Sequence, residues 1–285
     1  MINKKEKYNL IMDFYEIALA NGFIANGLED TIATFDMFFR PSPALGGFCI
    51  MAGVEQLCET LSSLEFSKDD IEFLRDNNIS ESFLTYLKNF KFKCDVWAVP
   101  EGTPIFPGEP IVKVRGPILQ ALLIETMVLL TINHQTLIAT KSNRIVRAAQ
   151  GRSVIEFGSR RAHGVDSALL GARAAFIGGC TATSNAQAAK LYDIPVYGGM
   201  SHTWIQAFDS ELEAFCAYAE EYPDNCILLV DTYDTINSGI PNAIETFKKV
   251  LEPKGFRPKG VRIDSGDLAY LSKKIFLKDL ARMHS

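Results

Sequence analysis

From Val154 onward the sequence alternates short apolar runs with helix-like segments, and each run stops at a cluster of Gly, Ser, Thr, Arg, His or Asp. The runs predict strands near 154–157, 179–183, 195–199, 226–230 and 260–263, with helices near 166–177, 184–192, 208–221 and 240–251. Connections long enough to hold a crossover helix demand parallel strands. The expected class is therefore α/β, and the expected architecture an irregular β/α barrel left incomplete. Strands in such folds carry their reactive groups at their carboxyl ends, where rigid strands meet solvent-facing loops. Here those ends hold Arg160 and Arg161, Ser184, His202, Asp231 and Asp234, and then Arg262, Asp264 and Asp267. Basic, hydroxyl, imidazole and carboxylate groups at successive ends predict one site that handles anions and phosphate chemistry.

The 117 residues before the helical connection read as a separate N-terminal mixed α/β domain, and 118–285 as that connection plus the partial barrel. Tyr8 to Ala20 has apolar residues at helical spacing, with Tyr15 off the stripe centre as a surface or interface residue. Thr31 to Arg40 alternates as a strand does and stops at Pro41 and Pro43, before a turn through Leu45, Gly46 and Gly47. Ala52 to Leu64 and Ser80 to Asn89 predict helices. Between them, Ser67 and Asp70 make a capping box with Asp in place of the usual Glu. Phe90 to Pro117 is rich in alternating β-formers broken by prolines and glycines, and reads as a small β-structure with tight turns. Ile118 to about Gln150 turns helical, with Lys141, Arg144 and Arg147 spaced as a solvated face.

A formal charge of −5 argues against nucleic acid or an anionic membrane as the main partner. The apolar stretch Ile118 to Ile132 is broken by Gln120, Glu125, Thr126 and Thr131 and is shorter than the ~20 residues of a spanning helix. With no secretory signal visible, and six cysteines that form neither a C-x-x-C pair nor a zinc pattern, the expected setting is a cytoplasm that keeps thiols reduced. No Walker A, dinucleotide fingerprint, H-E-x-x-H or nucleophile elbow is present.

Adjacent arginines 160 and 161 suit a carboxylate or pyrophosphate bound in a bidentate way, and equally suit a plain surface pair. His202 gains weight from its company. A carboxylate from Asp231 or Asp264 on one imidazole nitrogen would fix the tautomer and leave the other nitrogen nucleophilic. Asp264 and Asp267, three apart across a Ser-Gly turn, suit a diol or a hydrated Mg²⁺, and also suit helix capping.

FDMFFRPSPALGGFCIMAG, FGSRRAHG, GCTATSN, GMSHTW, the VDTYDT segment and RIDSGD, in this order and spacing, resemble the nicotinate phosphoribosyltransferase family. The resemblance implies a homodimer with active sites completed across the interface. It implies that nicotinate and 5-phosphoribosyl 1-pyrophosphate become nicotinate mononucleotide and pyrophosphate in NAD salvage, with ATP as co-substrate, Mg²⁺ as cofactor, and a transient phosphohistidine at His202. It further implies that nicotinate stacks between Phe157 and Tyr15 of the partner subunit. Arg262 would meet the ring substituent and Arg160 the phosphate groups, with Arg161 and Asp234 also binding substrate; Asp231 would orient His202. Ser184 would spare the nicotinate carboxylate from repulsion, and Asp264 with Asp267 would hold ribose or Mg²⁺.

Tyr15 lies in DFYEIALA where the family more often reads DLYQLTMA, and GCTAT replaces the commoner GFDGT. After LAYLSKKI the sequence departs from the family, whose members continue into further strands and a glycine-rich 5′-phosphate turn. That departure predicts a C-terminally truncated chain. The rival expectations are a non-catalytic fragment that keeps the dimer surface and, more weakly, a quinolinate phosphoribosyltransferase.

Overall fold

A computed structural model describes residues 9–41 and 46–283, with side chains up to residue 276. Tyr8 of the first expected helix, the Pro43 stop and Leu45 of the expected turn lie outside the described residues. The chain forms two compact units, Met1–Tyr197 and Gly198–Ser285. This division falls inside the stretch that the sequence assigns to one barrel.

In the first unit, helix α1 (Phe14–Ala25) leads to strand β1 (Ile32–Met37), then β2 (Cys49–Ile50) and helices α2 (Val54–Ser62), α3 (Lys68–Asp76) and α4 (Glu81–Lys88). The Ser67–Asp70 capping box forms in both directions, so two donors at the start of α3 are satisfied. Strands β3 (Asp95–Ala98), β4 (Pro104–Ile105) and β5 (Val112–Pro117) follow, and β1, β5 and β3 pair antiparallel in that order. Val112 and Val114 of β5 are buried while Lys113 and Arg115 are exposed, the alternation that fixes register on a half-buried sheet. Behind it lie Phe83, Leu84, Leu87, Leu119, Leu123 and Ile132, each at most 2% exposed. Each such side chain contributes about 1.5–3 kcal/mol relative to exposure.

The helical stretch after Pro117 is two helices, α5 (Ile118–Leu123) and α6 (Glu125–Ala148), broken at the fully buried Ile124. The basic stripe on α6 is more packed than its spacing implies. The Arg147 guanidinium lies 5.9 Å from the centre of the Phe48 ring, and Arg144 reaches the Phe48 carbonyl at 3.5 Å.

Next come β6 (Ile155–Glu156), α7 (Val165–Ile177), β7 (Ala182–Thr183) and α8 (Ala186–Tyr192). β6 and β7 pair in parallel, as the crossover spacing requires. The strand expected at 195–199 shrinks to one bridge between Thr183 and Val196. Pro195 lacks a ladder donor, and Gly198 and Gly199 offer no side chain to pack. α7 is pinned to the N-terminal part through Arg173, which is 8% exposed. Its guanidinium donates to both carboxylate oxygens of Glu101, at 3.0 and 2.7 Å, and to Glu55. Glu101 also accepts from the Gly53 and Val54 amides at the start of α2.

The second unit holds α9 (His202–Gln206), α10 (Glu211–Glu221), β8 (Ile227–Leu229), α11 (Ile240–Thr246), β9 (Gly260–Arg262) and α12 (Leu268–Met283). The helix expected over 240–251 is present but begins earlier, since a π-turn at 235–239 leads into α11 and a second, at 247–251, ends it. β8 and β9 are parallel, and Ile205, Phe215, Leu228, Leu229, Val230 and Leu251 form the core around them. Among the described residues the parallel strands are two or three residues long and form two pairs rather than one continuous sheet. All six cysteines are free thiols. Burial pushes Cys94 and Cys226 up to about 11, which makes them poor nucleophiles.

Candidate active site

His202 opens α9, and that short helix is anchored from beneath. Ile205 is fully buried, and the Trp204 indole donates to the Ala214 carbonyl of α10 at 3.0 Å. The imidazole is thereby held on the surface side, 40% exposed and open to a ligand. Its Nδ1 lies 3.1 Å from the Thr232 hydroxyl, and its Nε2 lies 3.6 Å from Asp264 Oδ2. The second distance is beyond a hydrogen bond but well within electrostatic reach.

Asp231, expected to bear directly on His202, instead holds the next turn. Its Oδ2 accepts from the Asp264 amide at 3.1 Å and from the Ser265 hydroxyl at 2.6 Å, while its Oδ1 is buried without a partner. Asp231 therefore fixes Asp264, and Asp264 faces the imidazole. Arg262, at the end of β9, donates to Asp264 Oδ1 at 2.5 Å and to the Met200 carbonyl at 3.3 Å. The two strand ends, β8 and β9, thus bring His202, Thr232, Asp231, Arg262 and Asp264 together.

Asp234 and Asp267 sit at the same loops but spend oxygens on backbone. Asp234 accepts from the Ile236 and Asn237 amides at 3.0 and 2.8 Å, and Asp267 from the Tyr270 amide at 2.9 Å. Asp267, not Asp264, therefore caps the helix that starts at Leu268.

In the first unit, Phe157 leaves β6 41% exposed, with its ring edge-on to Tyr197 at 6.2 Å. Arg160 and Arg161 follow in a 3₁₀ turn, Ser159–Arg161, and both are exposed. Ser184 stands at the end of β7, and its amide donates to the Glu156 carbonyl at 2.9 Å. A cavity of about 650 Å³ lies between α6, the end of β6 and α7, with Lys141, Phe157, Ser159, Arg161 and His163 on its wall. Its size and its cationic groups suit an aromatic acid or a phosphorylated sugar. Tyr15 is 47% exposed on α1. Its hydroxyl is pushed above its ordinary value, first by desolvation and then by the hydrogen bond and charge of Glu125.

Residues 10–133 match the model for the nicotinate phosphoribosyltransferase N-terminal domain, and residues 153–278 match the model for the nicotinate phosphoribosyltransferase family. The chain belongs to that family. It is 44% identical over 265 residues to a nicotinate phosphoribosyltransferase of Mycobacterium tuberculosis, covering 93% of this chain and 56% of the relative. It is 43% identical over 272 residues to the nicotinate phosphoribosyltransferase of Bacillus subtilis, covering 95% and 55%. The chain thus spans just over half the length of these relatives. The crystal structure of human nicotinic acid phosphoribosyltransferase superimposes with a TM-score of 0.83 at 28% identity, over 96% of this chain and 65% of that one.

For a member of the nicotinate phosphoribosyltransferase family, the motifs FGSRRAHG, GCTATSN, GMSHTW and RIDSGD all fall at strand ends or the loops beside them. Thr232, Glu156 and Thr183 were not singled out from the sequence, although each is adjacent to a candidate. Side-chain hydroxyls and an acid inside a β-run carry no periodic signal, so adjacency was the one available clue. Among the described residues no helix is long and apolar enough to cross a membrane.

Proposed function

We propose that this chain carries out nicotinate phosphoribosyl transfer, with His202 as the group that couples ATP to it. The observation that carries the reading is the imidazole of His202, solvent-open and held between Thr232 and Asp264 at the joined ends of β8 and β9. The substrates are nicotinate and 5-phosphoribosyl 1-pyrophosphate, which the family match to relatives named nicotinate phosphoribosyltransferase supports, with ATP as the co-substrate that the His202 reading adds.

The pyridine nitrogen attacks the ribose C1 as the bond from C1 to the pyrophosphate oxygen breaks, so positive charge develops on the ribose and negative charge on the leaving group. Phe157, with Tyr15 of the partner subunit, stacks on the base. Arg262 meets the ring carboxylate, and neutral Ser184 leaves it unopposed. Arg160 and Arg161 meet phosphate oxygens through planar, bidentate donors. Asp264, Asp267 and Asp234 line the ribose side, where carboxylates stabilise an oxocarbenium-like sugar. In the coupling step an imidazole nitrogen displaces ADP from the γ-phosphorus of ATP, and the phosphoryl group later passes to water.

Mg²⁺ fits the donor set as a shared ion. No cluster of three or more His, Cys, Asp or Glu exists among the described residues. Asp264 and Asp267 can supply the one or two carboxylates that Mg²⁺ takes beside substrate phosphates. When bound, it neutralises charge on the departing pyrophosphate.

We also infer a homodimer, which the family resemblance implies, and a cytoplasmic location, which the free thiols favour. The test offers nicotinate, nicotinamide and quinolinate separately with phosphoribosyl pyrophosphate, ATP and Mg²⁺, and identifies products by mass. Product from nicotinate is expected. Product from quinolinate with loss of carbon dioxide and no ATP requirement would replace this reading with the quinolinate one.

A further inference from the structure

Two strand ends in the first unit are joined by a closed set of side-chain hydrogen bonds that none of the substrate roles above uses. The Glu156 carboxylate turns back on its own chain. Its Oε1 accepts from the Gly158 amide, and its Oε2 accepts from the Thr183 hydroxyl at 2.7 Å across the β6–β7 pair. Thr183 is fully buried, and its hydroxyl is used in both senses, donating to Glu156 and accepting from the Asn185 amide at 3.0 Å. Asn185 closes the set: its Nδ2 donates to the Ser159 hydroxyl at 3.0 Å, and its Oδ1 accepts from the Ala188 amide at 3.0 Å to cap α8. Asn185 can be oriented only this way, because a flipped amide would set its NH₂ against the Ala188 N–H.

We propose that Glu156, Thr183 and Asn185 form a brace that sets the turn 158–161, so that Phe157, Arg160 and Arg161 are positioned for an anionic ligand. Glu156 is a positioning residue, not an acid or base for the reaction. The same two bonds commit the one acid of the VIEFGSRRAHG run to donors inside the fold. An acid so satisfied opposes an anionic ligand less than one turned outward. Gly158 has its own reason in the brace, since a Cβ there would stand 2.9 Å from Glu156 Oε1. The ligand half of this inference rests on the reading above that Arg160 and Arg161 meet phosphate groups; the brace itself does not.

The experiment uses the 285-residue chain and the variants Thr183→Val, Thr183→Ser and Ser159→Ala. Amide hydrogen exchange at Gly158 reads the brace directly. Thr183→Val is expected to speed it about tenfold, the weight of one hydrogen bond. Thr183→Ser, which keeps the hydroxyl, is expected to stay within about twofold. Unchanged exchange in Thr183→Val would overturn the brace whatever the ligand does.

Calorimetric titration with inorganic pyrophosphate reads the consequence. Binding about tenfold weaker in Thr183→Val and about threefold weaker in Ser159→Ala is expected, with unchanged thermal midpoints in Ser159→Ala. Ser159 is half-buried at the start of the turn and loses only its bond from Asn185 in that variant, which therefore separates positioning from folding even if Thr183→Val is unstable. Equal affinity in wild type and both variants overturns the positioning role. A wild-type chain that does not bind pyrophosphate at all contradicts the anion reading of the arginines, and the exchange rates then still decide the brace.

Discussion

The Nδ1 of His202 lies 3.1 Å from the hydroxyl oxygen of Thr232, a residue that serves the imidazole where a carboxylate was expected. Asp264 faces the opposite nitrogen at 3.6 Å. A carboxylate near Nε2 favours a proton on that nitrogen and leaves the Nδ1 lone pair as the nucleophile, held by the Thr232 hydroxyl until substrate takes its place. Thr232→Val should therefore shift the neutral tautomer ratio of His202 and lower ATP coupling by about tenfold. Thr232→Ser should restore both. Nitrogen chemical shifts of labelled histidine report the tautomer; no change in Thr232→Val would remove Thr232 from the account.

Arg173 is the charge on which α7 docks. Arg173→Met leaves Glu101 paired only with backbone amides, and removing one partner of a buried pair costs about 3–5 kcal/mol. The Glu55 partner is 58% exposed and adds little to that figure. Urea unfolding of Arg173→Met measures the loss. Adding Glu101→Gln to it should recover part, since the uncompensated charge is then gone.

The Glu101 carboxyl also sets an acid limit. Burial pushes it up, but the hydrogen bonds and charge of Arg173 and the Gly53 and Val54 amides outweigh burial and hold it below the usual value. A carboxyl whose folded value is depressed stabilises fully above its unfolded value, about 4.3, and loses that contribution as pH falls through the folded value. Stability of the first unit should fall below about pH 4. Glu101→Gln should flatten that slope in urea midpoints taken between pH 3 and 6.

Glu16 carries the opposite sign. It is fully buried; its Oε1 accepts from the Thr126 hydroxyl at 2.6 Å, and its Oε2 has no partner. Burial, chiefly, raises its carboxyl above the ordinary value. Stability is therefore lost as pH rises from about 4.3 through the higher folded value, and stays lost above it. Glu16→Gln keeps the acceptor to Thr126 and should gain about 1 kcal/mol at pH 8 with no gain at pH 4. Thermal midpoints at the two pH values check this.

Much of the scaffold was legible because it rests on local rules. The Ser67–Asp70 box, the alternation of β5 and the apolar runs ending at Arg160, Ser184, Asp231 and Asp264 all sit where the spacing put them. The helix carrying His202 was not foreseen, since five residues are too few to show a 3.6-residue period. The Arg173–Glu101 pair, 72 residues apart, left no trace in the sequence, and neither did the break at Ile124, which is set by burial. At the site, residue types identified the candidates but not their partners. Whether a loop carboxylate faces an imidazole, as Asp264 does, or a backbone amide, as Asp231 does, depends on how two loops meet.

The account's central claim is tested most directly by nicotinate mononucleotide formation from nicotinate and phosphoribosyl pyrophosphate, with and without ATP, in wild type and His202→Ala. Wild type should form product that rises at least about tenfold with ATP, and His202→Ala should form the ATP-independent amount only. Product with equal ATP stimulation in both proteins, or no product from a folded wild-type chain supplied with all three substrates and Mg²⁺, would contradict it.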